Sequence, residues 1–369
     1  MRLLSGAGLA ITALAAGIAL PVYAATAGSH GTRLAASSAV TKAAALPAPG
    51  NPNGHVAVPA AGRAVNTSHP TRVVGHGTAA SCTSKAVVSA VRKGGIIRFS
   101  CGPAPVTIVM KATAKVRNTV SRVVLDGGGK VTLSGGGVRR ILYMNTCDPA
   151  QVFTTSHCDD QARPKLVVQN LNFIDGNAAG SAIDTGSGGA IYASGGQFKV
   201  VNSVFADNRC HRTGPDLGGA AVRALEQYQG RAVYVVHSTF VRGVCSNGSA
   251  LSSIGVSWVV LDSIMKNNHA VGNGANPARS GTPGGGSGGA IYTDGDSYTV
   301  RVAGTLLKGN SAREGGGAIF YVSDNNAGAL RIQHSTLRDN PSHGFHTQGF
   351  PGIFYHGPGQ PITVDSHIK

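Results

Sequence analysis

Short runs of β-branched and apolar residues, broken by small and polar ones, recur along most of the chain. One run reads Val200-Val201-Asn202-Ser203-Val204-Phe205-Ala206-Asp207-Asn208, with relatives at 168–176, 235–243, 260–268, 302–310 and 332–340. Its aligned bulky position is Phe173, Phe205, Phe240, Met265, Leu307 and Leu337, at gaps of 32, 35, 25, 42 and 30 residues. A second run, Gly-Gly-Ala-Ile-Tyr, stands at 188–192 and 288–292. It recurs as Gly316-Gly317-Ala318-Ile319-Phe320 and, decayed, as Gly218-Gly219-Ala220-Ala221-Val222, with a weaker trace at 248–251. Runs too short for helices, repeated near every 30 residues, predict an all-β solenoid whose coils stack about 4.8 Å apart. Stacking would align Asn208, Asn268, Asn310 and Asn340 in an amide ladder, at a turn whose left-handed backbone Asn tolerates. A β-propeller needs four strands per blade of about 40 residues, more than these intervals hold.

The start of the chain lacks this pattern. Arg2, an apolar stretch from Leu3 to Leu20 and the small-residue site Val22-Tyr23-Ala24 read as a signal peptide over 1–24. Residues 25–75, rich in Ala, Gly, Pro and Ser, read as a disordered basic leader. The β domain is expected over 76–369. It opens with a capping helix in which Ser84 caps, Val87, Ala90 and Val91 share a face, and Gly94-Gly95 stops the helix. A strand, Ile96-Ile97-Arg98-Phe99, follows. No later run is long enough to span a membrane.

Glycine, 53 of 369 residues, is too sparse for collagen, and two glutamates are too few for coiled coils. Of the net charge of +16, residues 1–125 carry +13 with no Asp or Glu, which would draw the leader to an anionic cell envelope. Six cysteines in an exported chain predict disulfides. Of the 15 pairings, the sequential one closes short loops: Cys82–Cys101, Cys147–Cys158 and Cys210–Cys245.

The Gly-Gly-Ala-Ile-Tyr/Phe repeat and the opening Val124-Leu125-Asp126-Gly127-Gly128-Gly129-Lys130-Val131-Thr132-Leu133 resemble the pectin-lyase-like superfamily over about 80–369. They are most similar to its secreted bacterial repeat proteins of unassigned activity. The resemblance implies a right-handed parallel β-helix, and in many members cleavage of polysaccharides, often acidic ones. Other members are adhesins. The chain departs from the polygalacturonase-like pattern of three aspartates with Gly-His-Gly and Arg-Ile-Lys. Gly75-His76-Gly77 precedes the coils, and Arg331-Ile332-Gln333 lacks the lysine.

Cleavage by hydrolysis needs two carboxyl groups flanking the bond. A uronate lyase needs a base and neutralisation of the substrate's acid group, for which calcium is the candidate cofactor. Asp216 and Glu314, each four residues before a repeat alanine, are expected at one register, with Arg223 and Glu226 nearby. These four are the candidate catalytic residues, with Tyr228, Asp294 and Asp324 as substrate-binding candidates along one groove. The Cys147–Cys158 loop, with Asp148, His157, Asp159, Asp160 and Arg163, is a second candidate. The column of Tyr192, Tyr292 and Phe320, broken at Val222 and Ser252, is either core or a stacking platform for sugars. The expected function is polysaccharide binding and cleavage outside the cell, with a non-catalytic, adhesin-like rod as the alternative. Nucleic acid is not expected as a partner, because the body has no basic stripe interleaved with aromatics.

Overall fold

The computed structural model describes residues 45–181 and 186–369. The expected signal peptide and the first part of the leader, to residue 44, lie outside the described residues. The described chain is strand-rich. All pairings between its named strands are parallel, and among the described residues one α-helix longer than a single turn lies between the first strand and the rest.

A typical repeat lays one strand on a smaller sheet and two on a larger one. An eight-stranded sheet takes the Gly-Gly-Ala-Ile-Tyr halves. After the short strand Ala114–Lys115 it pairs Leu142–Asn145, Ile191–Ser194, Val222–Leu225, Leu251–Ile254, Ile291–Asp294, Ile319–Val322 and Ile353–His356 in sequence order. A larger sheet takes the other halves, in two ranks. Both ranks branch from the long strands Arg122–Ser134 and Lys165–Ile174. A third, three-stranded sheet forms at the turn after the second rank. The aligned bulky residues pair as the repeat predicts: Phe173 with Phe205, Phe205 with Phe240, then Met265, Leu307 and Leu337. The phenyl rings stack at 4.9 and 4.8 Å, near the strand spacing.

The asparagine ladder forms as expected where Asn recurs. Asn268 Nδ2 donates to Asn310 Oδ1, and Asn310 Nδ2 to Asn340 Oδ1, each at 2.9 Å. Its left-handed residue falls one position earlier than expected, at Asp207, Asn267 and Asp339. The ladder amides are thereby free to turn inward and accept main-chain N–H groups. A second ladder, of hydroxyls, was not read from the sequence. Ser203, Ser238, Ser263 and Thr305 each donate a main-chain N–H to the hydroxyl of the next repeat, ending at Ser335 and Ser366. Both ladders satisfy buried polar groups that apolar burial alone would leave unpaired.

The helix Ser84–Lys93 ends at Gly94 and buries Val87, Ala90 and Val91 in the main core, as expected. Thr83, not Ser84, caps it: Thr83 Oγ1 accepts from Ala86 N, while Ser84 Oγ accepts from Lys111 N. All three disulfides have the sequential pairing.

Residues 45–75 overturn the expectation of a disordered leader. They form a strap on the outer face of the larger sheet. Asn51 N donates to Asp262 O, and Val56 N to Asp262 Oδ1. Val56 and Val58 pack on Val201, Val236, Leu261 and Ala303. Farther along, Val65 exchanges two hydrogen bonds with the Gln169 amide, and Thr67 Oγ1 donates to Asp126 Oδ2 at 2.6 Å. The strap ends as a strand, Arg72–Val74, on Gly95–Phe99. Its glycines and alanines, which read as a linker, are small enough to lie flat on a sheet: a Cβ on Gly54 would stand 2.4 Å from Gly304 O.

Candidate functional site

The sequence aligns Val222 with Tyr192. The structure shifts that register by one residue and pairs Tyr192 with Arg223, then Ser252, Tyr292, Phe320 and Phe354. This column faces away from the main core, and loops cover it. Tyr143 stacks on Tyr192, with the Arg140 guanidinium over both rings, and Tyr292 stacks on Phe320 at 5.0 Å. The rings are therefore neither part of the main core nor open platforms.

Arg223 interrupts the column and is 4% exposed. Its Nη1 donates to Ser252 Oγ at 2.6 Å. Burial pushes its pKa down, against the pull of Tyr192, Tyr292, Asp216 and Asp294. The Gly- and Pro-rich insertion at 272–286 closes this flank. Its Asn276 Nδ2 contacts Asp216 Oδ1 at 2.8 Å, the Tyr292 hydroxyl at 2.7 Å and Asp294 Oδ2 at 2.8 Å. The Tyr292 hydroxyl also donates to Asp294 Oδ2 at 2.9 Å. Burial, with Asp324 and Asp216 as like charges, raises the Asp294 carboxyl.

Glu314 precedes the strand three repeats on from the one that Asp216 precedes, and it does not join this cluster. It clamps the insertion instead. Arg279 Nη1 and Nη2 each donate to it at 2.7 Å, and Gly274 N donates at 2.8 Å. The Arg279 hydrogen bonds hold its carboxyl below the ordinary range, against partial burial. A bidentate pair of this kind fixes geometry and leaves no carboxylate free for chemistry.

The open site lies at the C-terminal ends of the same strands. A cleft of about 670 Å³ is lined by Asp159, Asp160, Glu226, Asp296 and Asp324, with no basic residue. It joins the two regions that the sequence treated separately, the groove of Glu226 and the Cys147–Cys158 loop. Gln229 N donates to Asp160 Oδ1 and ties the disulfide loop to the turn after Val222–Leu225. Glu226 stands on that turn with φ 48°, a left-handed backbone that aims its side chain away from the strand. Burial first, then the Asp159 charge, pushes its carboxyl up.

Other candidates fall elsewhere. Tyr228 lies under the Arg231 guanidinium, 5.4 Å from its ring centre, outside the cleft lining. Asp148 caps the short turn Pro149–Gln151 and accepts from Tyr143 Oη. Among the described residues, no group of three or more His, Cys, Asp or Glu is arranged to hold a metal ion. No helix among them is long and apolar enough to cross a membrane. The disulfides fit an oxidising environment. No protein family, curated protein or solved structure matches the chain.

Proposed function

We propose that the three parallel sheets wind as a right-handed β-helix, and that this exported chain binds a polysaccharide along the cleft and hydrolyses it. The handedness rests on the strong right-handed preference of parallel crossover connections, about 98% of cases. The observation that carries the activity is a cleft whose charged lining is carboxyl groups alone, in which burial and Asp159 hold the Glu226 carboxyl up. A raised carboxyl serves as general acid, and a second carboxylate, Asp324 or Asp296, serves as base or nucleophile. A cleft without cations repels a uronate at the cleavage point, so the sugars split there are neutral or amino sugars. Arg223, buried behind the insertion, is not the base of a lyase in this reading. A lyase would need calcium to carry an acid sugar into such a cleft. The alternative rod, gripping an anionic envelope through its leader, loses residues 45–75, which are committed to the chain's own flank.

The test is a panel of neutral, amino-sugar and acidic polysaccharides, with calcium and with chelator, following reducing ends and the absorbance of unsaturated uronates. Hydrolysis gives reducing ends without absorbance, indifferent to chelator. Glu226→Gln lowers the rate about 100-fold or more, the usual share of a general acid. Absorbance lost on chelation would replace the hydrolase with a calcium-dependent lyase. Silence across the panel from the folded chain would leave the rod.

A further inference from the structure

Across Gln227 from the acidic cleft lies a second cavity, of about 420 Å³, with the opposite charge. Two adjacent columns of the larger sheet line it. One runs Arg122, Lys165 and Gln197 on successive strands, and Arg231 reaches Gln197 from the next repeat. The other runs Val124, Val167, Lys199 and Tyr234. At about 4.8 Å per strand, the cationic column extends roughly 14 Å. No carboxylate lines the cavity, and among the described residues none of its four cations is in an ion pair.

The strap walls this cavity and orients its contents. Lys199 Nζ donates to the main-chain oxygens of Ala61 and Arg63, at 3.0 and 2.6 Å. An ammonium has three protons, so one is left for a ligand. Burial alone depresses its pKa, with no carboxylate to offset it. Gly62 lies against Tyr234, where a Cβ would stand 2.9 Å from ring atom Cδ1, so the strap fixes that ring. Among the described residues, the Tyr234 hydroxyl has no hydrogen-bond partner. The cavity thus combines unpaired cations at its rim with an aromatic and aliphatic floor.

We propose that this cavity is a binding site for a short anionic oligosaccharide, carboxylated or sulfated, whose ring face lies on Val167 and Tyr234 while its anions meet Arg122, Lys165 and Arg231. A walled cavity of this volume suits a small ligand and not a duplex. The shared Gln227 lets one polymer occupy both sites, anionic residues here and the bond to be cut in the cleft. That last step rests on the hydrolase reading. The binding itself does not.

The test is calorimetric titration of the full chain with trigalacturonate, with a sulfated trisaccharide and with the methyl ester of trigalacturonate. One or both anionic sugars should bind, more weakly as salt rises, and the neutral ester should bind poorly. Their ranking identifies the anion. In Lys165→Glu/Arg231→Glu the dissociation constant should rise at least about tenfold, while Glu226→Gln keeps wild-type binding even where cleavage is lost. If the double variant misfolds, Arg122→Gln/Lys165→Gln repeats the test without charge reversal. Absence of binding by both anionic sugars at millimolar concentrations would overturn the site, as would unchanged binding in a folded variant. Tighter binding of a single-stranded oligonucleotide at these residues would replace it with a nucleic-acid site.

Discussion

Two stacked columns run through the repeats, and they differ in uniformity. The inner one, Phe173, Phe205, Phe240, Met265, Leu307 and Leu337, is apolar on every strand. The outer one, Tyr143, Tyr192, Arg223, Ser252, Tyr292 and Phe320, is aromatic except at two neighbouring strands. The inner column has a single environment, a dry interior that any bulky apolar side chain fills. The outer column lies under loops that differ from repeat to repeat. Where it turns polar, a long insertion, two aspartates and the hydroxyls of Ser252, Tyr192 and Tyr292 gather around Arg223. Chemistry concentrates where the repeat departs from itself.

The largest expected effect tests the inner column. Phe240→Ala should cost about 3–5 kcal/mol in urea unfolding, because it opens a cavity between the Phe205 ring and Met265. A loss no larger than at an exposed position would mean that the stack carries little of the stability.

Next comes the break in the outer column. Arg223→Met should cost about 1–3 kcal/mol, since the buried Ser252 hydroxyl loses its donor. Equal or greater stability in the variant would show that the guanidinium is kept there at a structural cost, which would sharpen the contrast between the columns.

The smallest effect concerns Glu226. Its folded carboxyl value is raised by burial and Asp159. Its ionisation therefore opposes folding above that value and has no effect at pH low enough to protonate both states. Melting curves across pH should show Glu226→Gln slightly more stable than wild type at neutral pH and equal to it in acid. In an active enzyme, the rate should also fall as pH rises through the raised value. A constant difference at all pH values would remove the electrostatic cause.

The inner register was legible because every aligned residue meets the same demand, and one alignment satisfies all of them at once. The outer register slipped by one residue at Ala221-Val222, where two small apolar residues replace Ile-Tyr and leave no bulky marker. That slip made Asp216 and Glu314 look equivalent. The strap was illegible for a different reason. Its contacts are single hydrogen bonds and small side chains on distant strands, such as Asn51 with Gly304, and no local periodicity encodes them. The cations Arg122, Lys165 and Lys199 did carry a signal, since they stand on successive related strands. Without the strap that walls them, they read as ordinary solvated charges.

By itself the sequence determined the repeat, its strand positions and the identity of the stacked interior, because each follows from residues at fixed spacing, whereas the structure selected the sequential cysteine pairing from the 15 possible. Only the tertiary structure decided which carboxylates are free. Glu226 and Glu314 are the same residue type in related repeats. A hydrogen-bonded arginine from an insertion holds Glu314 down, and partial burial with a neighbouring aspartate pushes Glu226 up. A carboxyl group's protonation depends on the charges and solvent within a few ångströms of it, and here those come from loops remote in sequence.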